Sequence, residues 1–145
     1  MPNAGLRVVA RGLQEDFRID RRVLPILQAR GVGILAGSDS GSNNFFTYPG
    51  WTLHRELALM VEAGLTPMQA LQTATRNAAE FRGELDRSGT VEVGKRADLL
   101  LLAANPLDNI QNTERIEAVV LRGKLFDRTD LDALLARVAG QFSAP

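Results

Sequence analysis

Residues 31–39, "GVGILAGSD", decide how this chain is read. A continuous apolar run, bracketed by glycines and ending in small polar residues, is the pattern of a short buried strand. Just upstream, residues 20–31, "DRRVLPILQARG", read as a helix ending at Gly31, with Val23, Leu24 and Leu27 on one face. Pro25 is confined to the early part of that helix, because a later proline would kink it. Helix, loop and buried strand in this order predict one α/β unit of a parallel sheet. The strand's tip carries a single carboxylate, Asp39. Two readings of it stand open: a reactive group held at a strand end, or one member of an Asx-type turn, Ser38-Asp39-Ser40-Gly41, closing the strand.

The segment that follows, "GSNNFFTYPGW" at 41–51, is a loop by its Gly, Ser, Asn and Pro content. It holds Phe45, Phe46, Tyr48 and Trp51, half of the aromatics in a chain with six Phe, one Tyr and one Trp. Residues 52–64, "TLHRELALMVEAG", have Leu53, Leu57, Met60 and Val61 at helical spacing and Gly64 as a stop. In "TPMQALQTATRNAAEF", Thr66 predicts an N-cap, Pro67 the first helical position and Gln69 the far side of a capping box. A single helix through Phe81 is expected there.

Beyond Gly83 the pattern changes. "GTVEVGKRADLLLLAAN" predicts a short alternating strand, a Gly-Lys-Arg turn and an apolar strand over residues 97–103. "NPLDN" interrupts it, and "IEAVVLRGKLFD" predicts a hairpin around Arg122-Gly123. Leu131, Leu134, Leu135 and Val138 give the last segment an amphipathic helical face, read as docking surface. Lys95 and Arg96 are read as solvated turn residues, and Asp98 as a residue that orders that turn. The chain divides on this basis into a segment at 1–83, a β segment at 84–128 and a terminal helix at 129–145. The short apolar piece "LRVVA" near the start is read as a strand or part of a loop.

Composition narrows the function classes. With 45% hydrophobic and 23% charged residues over 145, the chain has the make-up of one folded domain with a core. Seventeen basic and seventeen acidic residues cancel, so bulk charge draws it to neither nucleic acid nor an anionic membrane. The absence of cysteine removes disulfides, thiolate metal sites and cysteine nucleophiles together. No apolar run approaches the roughly 18 residues of a membrane span, and the first residues carry no signal-peptide pattern, so a cytoplasmic location is expected. His54 is the single histidine, too few for a self-contained zinc site of the usual kind.

Taken together, "GSDSG", "HRELALMVEAGLTPMQALQTATRNAAEF", "GTVEVGKRADLLLLAANPLDN" and "AVVLRGK" resemble the C-terminal portion of metal-dependent amidohydrolases, near the imidazolonepropionase-like and Xaa-Pro dipeptidase-like branch. The similarity runs from about Gly31 to Phe126. Gly89, Gly94, Lys95, Ala97, Asp98 and Leu99, combined with "AGLTP", carry most of its specificity. The resemblance implies an α/β fold: the last strand and helices of a (β/α)8 barrel, followed by part of a small β-sandwich. It implies hydrolysis of a C–N bond in an amide, peptide or cyclic amide, assisted by a divalent metal, most simply zinc. Asp39 would then be both catalytic residue and metal ligand. The family's H-x-H pair and its two later histidines have no counterpart here, and a full barrel needs roughly 200 residues or more. Alone, the chain is therefore expected to hold no metal and to be inactive.

The remaining candidates carry two readings each. Phe45, Phe46, Tyr48 and Trp51 would form a substrate-pocket lid on the family template, or else an apolar cluster packing the loop on its own helices. His54 is read as a substrate-side residue or a partly buried hydrogen-bonder rather than a metal ligand. "GSDSGSNN" could cradle an anion through its N–H groups, but it matches no phosphate-loop spacing. The rival to the hydrolase reading is a non-catalytic α/β module whose uncovered sheet makes it self-associate. The expected partners are a small amide or peptide substrate and either further copies of the chain or a polypeptide supplying the N-terminal part of the fold.

Overall fold

The computed structural model describes residues 21–40 and 47–142, which fall into two compact units divided between Ala74 and Thr75. "LRVVA", Phe45 and Phe46 lie outside the described residues.

In the first unit, residues 21–29 form helix α1, α2 spans Trp51–Glu62 and α3 spans Pro67–Ala74. The apolar spacing of α2 places Leu57, Ala58 and Met60 in the interior, facing α3, which contributes Ala70 and Thr73. α2 ends as its glycine predicts. Leu65 N–H donates to the Met60 carbonyl at 3.1 Å and Gly64 N–H to that of Val61 at 3.0 Å, the paired bonds of a Schellman motif. The capping box also forms: Thr66 N–H donates to Gln69 Oε1 at 2.8 Å, and Gln69 N–H donates to Thr66 Oγ1 at 3.2 Å. Arg21 ties α1 to the end of α2 by donating to the Glu62 carbonyl at 2.8 Å.

The helix expected through Phe81 is two helices. Thr75, at φ −126° and ψ −89°, leaves helical geometry, and α4 restarts over Arg76–Phe81. The expected strand at 33–37 is also absent. Residues 33–40 have no regular structure, and Val32 and Leu35 are exposed. An apolar run becomes a strand only when a neighbouring strand satisfies its backbone, and among the described residues no strand is assigned beside it. Ala36 ties it to α3, its N–H donating to the Thr73 carbonyl at 3.2 Å.

The second unit is built on a three-stranded antiparallel meander, β1 (Leu99–Leu102), β2 (Ile116–Leu121) and β3 (Lys124–Phe126). Leu99, Leu100 and Leu101 pair with Val120, Val119 and Ala118, and the register slips between Leu101 and Leu102. The β2–β3 turn is the expected two-residue one. Arg122 and Gly123 both take positive φ, 52° and 82°, which suits the right-handed twist of a hairpin. The approach to β1 clamps this turn, with Asp98 Oδ1 accepting from Arg122 N–H at 2.7 Å and the Ala97 carbonyl accepting from Gly123 N–H at 3.0 Å. Asp98 thus orders the Arg122-Gly123 turn, whereas its sequence reading tied it to the Lys95-Arg96 turn.

The alternating strand expected over 90–93 is irregular backbone. Its polar residues are drawn to Lys95 instead: the ammonium donates to Thr90 Oγ1 and lies 3.3 Å from Glu92 Oε1. Lys95 is therefore mostly buried rather than solvated, a correction to its sequence reading. Between β1 and β2, Asn109 caps a 3₁₀ turn at Ile110–Glu114 by accepting from Gln111 N–H at 3.0 Å. Helix α5 (Arg128–Phe142) follows β3 and packs on β2 and β3, leaving Leu134, Leu135 and Val138 exposed.

Candidate functional site

Asp39 lies three residues beyond the Ala36 anchor, and its backbone is left-handed at φ 48°. Aspartate tolerates that conformation better than most residues, yet it is uncommon and marks a constrained position. The local turn is organised by its neighbours. Ser38 Oγ accepts from Ser40 N–H at 3.4 Å, and the two serine hydroxyls are 2.9 Å apart. Downstream, Thr47 Oγ1 donates to the Asp39 carbonyl at 3.2 Å. These bonds engage the Asp39 backbone and the two serines. Among the described residues no hydrogen bond or ion pair engages its carboxylate, which is exposed. A carboxylate held by its backbone, with its oxygens unengaged, is equipped to accept a proton or ligate a cation.

Thr47 leads into the aromatic segment. Tyr48 N–H donates to Thr52 Oγ1 at 2.7 Å, fixing the chain just before Pro49-Gly50 and the start of α2. Tyr48 and Trp51 are 61% and 53% exposed, so neither is consumed by packing. That exposure removes these two from the internal packing cluster that was one of their sequence readings.

His54 stands in the first turn of α2, half-buried, and its Nδ1 is buried with no partner among the described residues. Glu56, on the same helix, has its carboxyl pushed above the ordinary range by burial. The structure links Asp39 to the Thr47–Trp51 segment, and no hydrogen bond or ion pair among the described residues links it to His54. Thr47 and Thr73, which hold the Asp39 segment from either side, carry no sequence signal of that role. Their bonds run to backbone groups distant along the chain.

Among the described residues, no group of three or more His, Cys, Asp or Glu side chains converges to hold a metal ion. No helix of the described residues is long and apolar enough to cross a membrane.

Residues 15–126 match the amidohydrolase family. Over 101 residues the chain is 36% identical to ochratoxinase of Aspergillus niger, a match covering 66% of this chain and 20% of that protein. Over 105 residues it is 31% identical to the probable imidazolonepropionase of Homo sapiens, covering 68% and 24%. Among solved structures, a Xaa-Pro dipeptidase with bound methionine in its active site superposes with a TM-score of 0.63 at 31% identity, over 74% of this chain and 25% of that one. A putative prolidase from Bifidobacterium longum gives 0.63 at 36% identity, over 81% and 29%. The chain therefore spans about a fifth to a quarter of the length of the curated relatives it matches. Those neighbours imply a TIM-barrel-type fold, of which the described residues are an α/β piece. This chain belongs to the amidohydrolase family.

Proposed function

We propose that the chain is the C-terminal portion of an amidohydrolase that cleaves a C–N bond in a small amide, peptide or cyclic amide. The observation carrying this reading is the Asp39 carboxylate, held through its backbone and unengaged at its oxygens among the described residues. Asp39 would take a proton from the attacking water and deliver it to the departing nitrogen, the two proton transfers that amide hydrolysis needs. Tyr48 and Trp51, with Phe45 and Phe46, would contact the substrate's apolar part, and His54 would lie on the substrate side of α2.

The family is generally metal-dependent. The described residues do not fit that requirement, since Asp39 has no companion ligands among them. Holding a divalent metal, zinc in our reading, would need ligands from beyond the described residues. The isolated chain is accordingly proposed to be inactive.

The test is complementation. The chain is combined with a polypeptide supplying the N-terminal part of an amidohydrolase barrel, and hydrolysis of dipeptides and aryl amides is followed. Asp39→Asn should lower kcat by about 10²–10⁴, the usual cost of losing a general acid or base, with the melting temperature unchanged. Asn keeps the size and local turn geometry, so a variant retaining more than about a tenth of the rate would remove the catalytic role.

A second reading has its own observation. Leu100 and Leu101 of β1 are 51% and 62% exposed although they point to opposite faces of the sheet. Apolar side chains bare on both faces of an edge strand favour association with further chains. A self-associating module without catalysis is the alternative that the complementation assay separates from the first.

A further inference from the structure

The break at Thr75 has a consequence for Asp39. Because α3 ends at Ala74, the Thr73 carbonyl lies in the last helical turn, where carbonyls lack a partner within the helix. That carbonyl accepts the N–H of Ala36, three residues before Asp39. The Thr73 side chain is fully buried, donates to the Ala70 carbonyl at 2.6 Å and lies 3.3 Å from Met60 Sδ. A hydroxyl bonded back to the preceding turn fixes where that last turn closes. The contact with Met60 ties the same turn to α2. Thr73 is thus immobilised on its side-chain end and holds the Asp39 segment on its backbone end.

We propose that Thr73 is a positioning residue for Asp39: its locked helical turn presents the carbonyl that fixes the otherwise irregular 33–39 segment. The functional half of this rests on the hydrolase reading above; the structural half does not. No strand is assigned over this segment, and the Ala36–Thr73 bond is a tie from it to the locked turn of α3. Thr47, bonding the Asp39 carbonyl from the far side, completes a bracket around the carboxylate.

The test uses the isotopically labelled full chain, with Thr73→Val keeping the shape but not the hydroxyl, and Thr73→Ser keeping the hydroxyl. Amide exchange at Ala36 should speed up about tenfold in Thr73→Val, as loss of one buried hydrogen bond predicts, and return to within about twofold of the parent in Thr73→Ser. Exchange at Val119, in the other unit, should not move. Equal acceleration at both amides, an unchanged Ala36, or no rescue by serine would overturn the proposal. Should Thr73→Val fail to fold, Ala36→Pro removes the donor itself. The Asp39 carboxyl ¹³C signal must then shift, and an unshifted signal also overturns it. In the complemented hydrolase Thr73→Val should lower kcat about tenfold with KM within about twofold, and an unchanged kcat would remove the positioning role. If the complemented parent itself hydrolyses nothing, the hydrolase reading falls, while the exchange data still decide whether Thr73 holds the segment.

Discussion

Gly89 approaches Ala79 so closely that a methyl group added to it would come within 2.5 Å of the Ala79 side chain and 3.1 Å of the Thr75 carbonyl. The φ of Gly89 is also positive, at 88°, so two separate penalties meet at one residue. Gly94 has nearly the same φ, 89°, with nothing within 4 Å. Alanine at Gly94 should cost about 1 kcal/mol of backbone strain. Alanine at Gly89 should add about 1–3 kcal/mol of steric conflict to that. Urea denaturation of the two variants isolates the contact, and equal losses would show that it is relieved by local movement.

Asp98 gives the hairpin a pH dependence. Its carboxyl is held below the ordinary range, first by the N–H of Arg122 and then by the Arg96 side chain. A carboxylate depressed in the folded state contributes stability that is complete above its unfolded value of about 3.9 and disappears as pH falls through the lower folded value. The urea midpoint of the parent should exceed that of Asp98→Asn by a constant margin at neutral pH. The margin should close below about pH 4. Glu92, also lowered by hydrogen bonds from Thr90 and Lys95, titrates in the same direction in both proteins and cancels in the difference.

The capping box at α3 should be worth a measurable amount. Thr66→Ala removes the acceptor for Gln69 N–H and should cost about 1 kcal/mol. Gln69→Ala removes the reciprocal bond. The double variant should lose less than the two singles combined, because each side chain helps hold the other in place. Strict additivity in thermal denaturation would show that the two bonds act independently.

Exposed leucines on both faces of β1 predict a dimer or larger species by light scattering. Replacing Leu100 and Leu101 together by lysine should return the chain to a monomer. A monomeric parent of native-like stability at high concentration would contradict the expectation.

The features legible in the sequence are those whose causes are local. The capping box at Thr66, the glycine stop at Gly64 and the Arg122-Gly123 turn each depend on a few adjacent residues, and each forms as read. The misread features depend on partners. "GILAG" has strand composition but no strand beside it among the described residues, and the polar residues of "TVEV" bond Lys95 instead of a ladder. The break at Thr75 carries no proline or glycine, so nothing in its neighbourhood announces it. In the candidate site, residue type and position alone nominate Asp39, Tyr48 and Trp51. They do not nominate the two threonines that bracket Asp39. Thr47 bonds the Asp39 carbonyl through its hydroxyl and Thr73 accepts the Ala36 N–H through its backbone carbonyl, and such contacts between separate segments leave no periodicity to detect.

Among the described residues, two that bear side chains, Asp39 and Arg122, hold left-handed backbone, at φ 48° and 52°. Relieving such a conformation with glycine typically stabilises a protein by about 1 kcal/mol, and a library screened for heat resistance would find both positions. At Arg122 the exchange is harmless to the turn, since the N–H that Asp98 accepts from belongs to the backbone. At Asp39 the same exchange removes the carboxylate. Directed evolution toward thermostability would therefore treat the two as equivalent, and only a screen that also scores turnover would keep them apart.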